Sequence, residues 1–171
     1  MLHPKQDIAT VRADGQSLAP LIHGVVITPA ATHVDGRGTL CEILNDRVHP
    51  EPIVYVYQFT IRPGMIKGWH VHRLHDDRIF VSQGTLKVVL YDDRKDSPTH
   101  GMVNEIHRSE FQRNLMVIPA HVYHAHQNIG STDVLCVSMP TRPYDHASPD
   151  VYRLPLNTDD IPYKFEQRIG W

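Results

Sequence analysis

Cysteine is nearly absent from this sequence: Cys41 and Cys136 are the only two in 171 residues, and they stand far apart in unrelated contexts. A small secreted disulfide scaffold carries more, so a reducing, cytoplasmic setting is expected. Also lacking is any uninterrupted apolar run approaching the roughly 18 residues of a membrane span. The stretch from Met1 to Pro20 scatters Lys5, Asp7, Arg12 and Asp14 among its apolar residues, so no hydrophobic leader is expected there. Neither sign of charge dominates. With 17 Lys and Arg against 19 Asp and Glu, the net charge of -2 excludes a general attraction to nucleic acid or an anionic membrane. No internal repeat, linker or low-complexity segment divides the chain, and the length suits a single domain over residues 1–171.

Turn formers are plentiful, with 13 Pro and 10 Gly. They separate short runs that read as strands: Leu21 to Ile27, Thr39 to Leu44, Ile53 to Ile61, His70 to His72, Ile79 to Ser82, Thr85 to Tyr91, Leu115 to Ile118, His121 to Gln127 and Val134 to Met139. The Ile53 to Ile61 run alternates, with Ile53, Tyr55, Tyr57, Phe59 and Ile61 on one face, assigned to core or dimer packing. Turns recur about every ten residues and no helix is expected before about residue 155. That rhythm argues for an all-β sandwich or barrel. The tail, Asn157 to Trp171, is expected to be a short helix or a strap.

Thirteen histidines stand out, and their placement matters more than their number. His70 and His72 lie two apart in Gly64-Met65-Ile66-Lys67-Gly68-Trp69-His70-Val71-His72, so in a strand both imidazoles share one face, opposite Trp69. Asp77 and Gly84 follow. His124 and His126 repeat the spacing after Pro119, with Asn128 beyond them. Imidazoles with a carboxylate make a ligand set for Zn, Fe, Mn, Ni or Cu. Both segments match the two cupin signatures, with Asp77 replacing the usual glutamate and His121 standing where glycine is expected. His75 is a substitute ligand should the shorter Asp77 not reach, and His126 a weaker one. The metal set is therefore His70, His72, Asp77, His75 and His124, for a divalent Zn, Fe, Mn or Ni ion.

A more particular resemblance follows from Asp35-Gly36-Arg37-Gly38, Lys67-Gly68-Trp69-His70, the loop Asp93-Arg94-Lys95-Asp96-Ser97-Pro98-Thr99-His100-Gly101, and Ile118-Pro119 with Tyr123-His124. Over about residues 33–145 the chain resembles the dTDP-4-dehydrorhamnose 3,5-epimerase family of the cupins. The resemblance implies a double-stranded β-helix, or jelly-roll barrel, with a core at about 33–145 and a short C-terminal extension. It also implies an epimerase of carbohydrate biosynthesis, acting as a homodimer on a nucleotide sugar. By that resemblance His70 is the catalytic base, Lys67 and Arg37 contact the nucleotide diphosphate, Arg78 polarises the carbonyl, and Asp159 or Asp160 orients the base. Tyr144 is placed in the pocket. Cys136 stands near the family's general-acid tyrosine, although buried apolar filler is the ordinary role of such a thiol.

Three functions stay open on the residues: proton abstraction beside the carbonyl of a nucleotide-linked keto-sugar, a metal-dependent cupin reaction such as an oxygenase or lyase, and ligand binding without turnover. His70 sits at the centre of the choice, since a metal ligand is not also a free base.

Overall fold

The computed structural model describes residues 3–13 and 17–166. Among these residues twelve strands form and no helix does. One sheet takes the order β1 (Val26–Pro29), β9 (Asn114–Ile118), β6 (Asp77–Gln83), β11 (Val134–Ser138) and β4 (Tyr57–Ile61). The other runs β12 (Tyr152–Arg153), β5 (Ile66–Val71), β10 (Val122–Asn128), β7 (Thr85–Asp92) and β8 (Val103–Ser109). All pairings are antiparallel. A separate hairpin, β2 (Thr32–Asp35) and β3 (Gly38–Cys41), stands outside both sheets with nearly every residue exposed. The turn rhythm led one to expect an all-β sandwich or barrel, and the resemblance the cupin jelly roll that is found.

Period-2 alternation explains the layering. Leu86, Val88 and Leu90 of β7 point between the sheets, where they meet Ile61, Ile79, Val81, Met116 and Cys136. Val89 and Tyr91, on the other face, pack with Trp69, Ala125, Ile161 and Phe165. Both faces of β7 are therefore covered, which is why its sequence reads as a nearly continuous apolar run. The covering comes from the end of the chain. Residues 154–166 carry no strand or helix and lie as a strap over the outer face, with the Phe165 ring 5.5 Å from that of Trp69. The expected tail is thus a strap as far as residue 166, and its last five residues lie outside those described.

Some strand boundaries differ from the sequence reading for identifiable reasons. β8 has only Val103 and Ile106 as apolar residues among Asn104, Glu105, His107 and Arg108, so a sheet-edge strand hides in a polar segment. β4 begins only at Tyr57, although the alternation starts at Ile53.

The Asp-x-Arg-x-x-Ser-Pro-Thr loop is held by a buried carboxylate. Asp92 accepts hydrogen bonds from Arg94 Nε at 2.7 Å, Ser97 Oγ at 2.6 Å and Thr99 Oγ1 at 2.6 Å, while Arg94 Nη2 donates to the His23 carbonyl. Burial alone would raise the Asp92 pKa, but these donors outweigh it and hold the group well below the carboxylate range. A carboxyl with a depressed folded pKa contributes its stability above the unfolded value of about 4 and loses it as pH falls toward the folded value. Asp92→Asn is therefore expected to lower stability at pH 7 by about 2–3 kcal/mol and to flatten its decline below pH 4, as read by urea unfolding across pH.

Candidate functional site: a histidine-lined pocket between the sheets

β5, β6 and β10 bring the chemistry together at one end of the barrel. Along β6, Asp77 and Ile79 face the pocket while Arg78 and Phe80 face away. Lys67 and His70 of β5 and His72 just past its end all face inward, a spacing of three and then two. A bulge explains the change of phase. His70 pairs with His124 and Lys67 with His126, so β5 fits one extra residue opposite β10. Trp69 accordingly turns outward into the strap, as alternation from His70 requires.

The resulting cavity has a volume of about 380 Å³, within the usual range for small-molecule sites. Imidazoles and Asp77 form one wall, Tyr55, Tyr57 and Phe59 line another, and Lys67, Arg142 and Arg153 add positive charge. Asp77 is almost fully buried and central: His72 Nε2 lies 3.4 Å and His124 Nε2 3.5 Å from its Oδ2, and His75 Nε2 lies 3.7 Å from its Oδ1. Burial would raise the Asp77 pKa, yet His72 and His75 hold it well below the usual range. Burial likewise opposes a charged His72, but Asp77 and Asp150 overcome it and raise that pKa. His124 and His126 are pushed down to about 3, chiefly by burial.

His70 is placed differently. Its Nε2 accepts a hydrogen bond from Arg153 Nη1, and β12 delivers that arginine by pairing Arg153 with His70. Burial first, and then the charges of His126 and Arg153, lower the His70 pKa to about 3. The imidazole is neutral with a lone pair on Nε2, the protonation state a base requires.

Several residues expected at the site lie elsewhere. Arg78 is 1% exposed and its guanidinium donates to the carbonyls of Met139 at 2.6 Å, Glu51 at 3.0 Å and Pro52 at 3.0 Å. It ties β6 to the 51–52 loop and does not polarise a substrate carbonyl. Arg78→Met is expected to cost about 3–5 kcal/mol in chemical denaturation, because three carbonyls lose their donors. Asp159 is a surface residue, its side chain 98% exposed and paired with Lys164 at 2.7 Å, so it orients no base. Asp160 accepts from Thr158 nearby. Cys136 is fully buried between Phe59 and Val81 as core filler, its thiol pushed up to about 12 by burial, and it does not line the cavity. Arg37 rides the exposed hairpin, ion-paired to Asp35 at 2.6 Å, and does not reach the pocket of its own chain. Lys67 and Tyr144 do line it, Tyr144 at the rim with its ring 4.9 Å from His146.

Other pocket residues escaped the sequence reading. Asp150 receives the backbone amides of Arg73 and Leu74 and faces His75 Nδ1 at 2.9 Å, and Arg142 and Arg153 lie beyond the motif-bearing stretch. Their only signal was charge in an otherwise irregular segment. The aromatic face of β4 proves to be pocket wall, not only packing: Tyr57 lies 5.6 Å from Tyr55 and 6.3 Å from Phe59.

Comparison with known proteins agrees with this architecture. Residues 33–152 match the family model described as the polysaccharide biosynthesis C-terminal domain. The chain is 32% identical over 142 residues to a probable low-salt glycan biosynthesis epimerase of Haloferax volcanii, covering 81% of this chain and 90% of that protein. It is 31% identical over 146 residues to a spore coat polysaccharide biosynthesis protein of Bacillus subtilis, covering 85% and 97% respectively. Among solved structures, a dTDP sugar isomerase from Desulfovibrio desulfuricans superposes with a TM-score of 0.79 at 24% identity, over 85% of this chain and 94% of the other. A 3'-monoepimerase from Streptomyces bikiniensis in complex with dTDP-quinovose gives 0.77 at 18% identity, over 89% and 80%. These likenesses show the fold, and no helix among the described residues is long and apolar enough to cross a membrane. With the family model matching residues 33–152, most of this chain, and two relatives above 30% identity, the chain belongs to the polysaccharide biosynthesis C-terminal domain family, as an epimerase-like enzyme built on a cupin barrel.

Proposed function

We propose that the pocket takes a nucleotide-linked keto-sugar and that His70 removes a proton from the carbon beside its ketone. The observation that carries this reading is a neutral imidazole, His70, whose Nε2 lone pair lies in a cavity flanked by Lys67, Arg142 and Arg153. Three cations suit a diphosphate, and the Tyr55–Tyr57–Phe59 wall suits the flat base and sugar of a nucleotide. The names of the relatives and neighbours, glycan epimerase and dTDP sugar isomerase, point to the same substrate class.

The residues divide the work as follows. In the resting site Arg153 donates to His70 Nε2. An incoming diphosphate competes for that guanidinium and releases the lone pair for the substrate proton. Tyr57 projects from β4, in the sheet opposite β5, and burial pushes its phenol up to about 12. It stays protonated at neutral pH and supplies the acid for the opposite sugar face, the role the resemblance gives to a tyrosine near Cys136. The histidine–aspartate cluster would hold a divalent metal, which would supply Lewis-acid stabilisation to an enolate oxygen. The homodimer belongs to the same reading: Val34 and Leu40 on the β2–β3 hairpin are 74% and 61% exposed, apolar surface that a second copy would cover.

Incubation with a dTDP-linked 4-keto-sugar in deuterated water tests the reaction. Deuterium is expected at a carbon beside the carbonyl, read by mass spectrometry. Absence of exchange, together with no thermal shift in millimolar dTDP, overturns the reading.

A further inference from the structure

Three of the pocket imidazoles share a tautomeric constraint. His72 Nδ1 lies 2.5 Å from the Asp150 carbonyl oxygen, His124 Nδ1 lies 3.2 Å from the Val122 carbonyl oxygen, and His75 Nδ1 lies 2.9 Å from Asp150 Oδ2. A carbonyl or carboxylate oxygen only accepts here, so each Nδ1 carries a proton and each neutral ring has its lone pair on Nε2. All three Nε2 atoms face one buried carboxylate, that of Asp77, at 3.4, 3.5 and 3.7 Å. Lone pairs turned on a buried anion are unfavourable unless positive charge lies between them. A single proton satisfies only one of the three approaches, and three imidazolium ions in one buried pocket would repel each other.

One cation at the centre satisfies them all. The ligand atoms of His72, His75 and Asp77 lie within 4.8 Å of one another, and His124 Nε2 adds its approach to Asp77 Oδ2 at 3.5 Å. A second observation agrees: Asp77 Oδ1 is buried without a hydrogen-bond donor among the described residues. His70 is not part of this convergence. Its Nε2 is engaged by Arg153 and makes no ion pair with Asp77 within 4.0 Å among the described residues.

We propose that His72, His75, Asp77 and His124 form a divalent metal centre in which His75 takes the place that the His-x-His pattern gives to His70. Base and metal are then separate groups, and the two roles no longer exclude each other. Asp150 is a positioning residue: one residue fixes His72 through its carbonyl and His75 through its side chain. Three imidazoles and one carboxylate suit zinc, iron(II), nickel or cobalt, not the oxygen-seeking calcium and magnesium. The assignment rests on the proposed function for its chemistry but not for its binding.

The test uses the full chain purified without a nickel column, stripped with chelator and titrated with cobalt(II). One cobalt per chain with the intense visible bands of a four-coordinate ion is expected, and zinc should displace it. His75→Ala and Asp77→Asn should each weaken binding at least 100-fold, with circular dichroism confirming a folded barrel. Asp150→Asn should weaken it about 10- to 100-fold and shift the visible bands, whereas His70→Asn should change affinity less than about threefold. If His70→Asn abolishes binding while His75→Ala keeps it, the ligand set is overturned. Substoichiometric cobalt in the parent protein, with stability unchanged by chelator, overturns the centre altogether. Deuterium exchange that persists in such metal-free protein would leave the epimerase reading standing, so the two failures are distinguishable.

Discussion

His70→Asn is expected to slow deuterium exchange into the keto-sugar by about 10³-fold, while dTDP affinity changes little. The size follows from what positioned general bases contribute, about 10²- to 10⁴-fold. Asparagine keeps a polar side chain at this position of β5, but it stops short of the place of Nε2 and its amide takes up no proton. Lys67 and Arg142, which would hold the diphosphate, are untouched. The expected signature is therefore a fall in kcat with nearly constant KM. Tyr57→Phe provides the complementary result: exchange of the proton continues while conversion to the epimer falls, because removal and return of the proton use different side chains. Equal loss of exchange in both variants would contradict this division, and full activity in His70→Asn would remove the base from the mechanism.

The second large effect is structural. Gly68→Ala is expected to cost about 3–5 kcal/mol, enough to unfold many domains whose total stability is about 5–15 kcal/mol. A Cβ at this position would stand 2.3 Å from Ala125 Cβ and 2.7 Å from Ala125 Cα, and Gly68 has φ of +156°. The nearer atom belongs to a methyl, but the second is backbone of β10, which cannot yield without moving His124 and His126. Adding Ala125→Gly relieves the first contact and leaves the second, so the double variant should recover only part of the loss in urea unfolding. Full recovery would mean that the side-chain contact alone sets the close approach.

How much of this was legible in the sequence can be judged residue by residue. Alternation and turn spacing were sufficient for the all-β fold, because buried strands must present every second side chain to the core. The same rule, applied to β6, already sets Arg78 opposite Asp77. Its assignment to the carbonyl came from the family pattern, and packing sent the guanidinium to three carbonyls instead. The histidines were legible as a cluster, but not their division. His70 and His72 share a strand face, so spacing cannot tell a ring held by Arg153 from one held by Asp150. Those two partners arrive more than seventy residues later in the chain, without a motif. Asp159 likewise came from the family pattern alone, and in the structure it is an exposed carboxylate paired with Lys164. Tyr57 was read as packing because aromatic alternation looks the same facing a core or a cavity.

The path of residues 150–166 has a consequence for synthesis. The strands from β1 to β11 end at Ser138, and the two sheets they form hold the main apolar cluster without the later residues. Asp150, Arg153 and the strap over Trp69 all come afterwards, clasping β5 at its edge and on its outer side. During translation the barrel therefore has its wall strands before it has the groups that fix the histidines. The groups that complete the pocket are translated after the strands that carry its rings, so a nascent polypeptide carries the rings before it can use them.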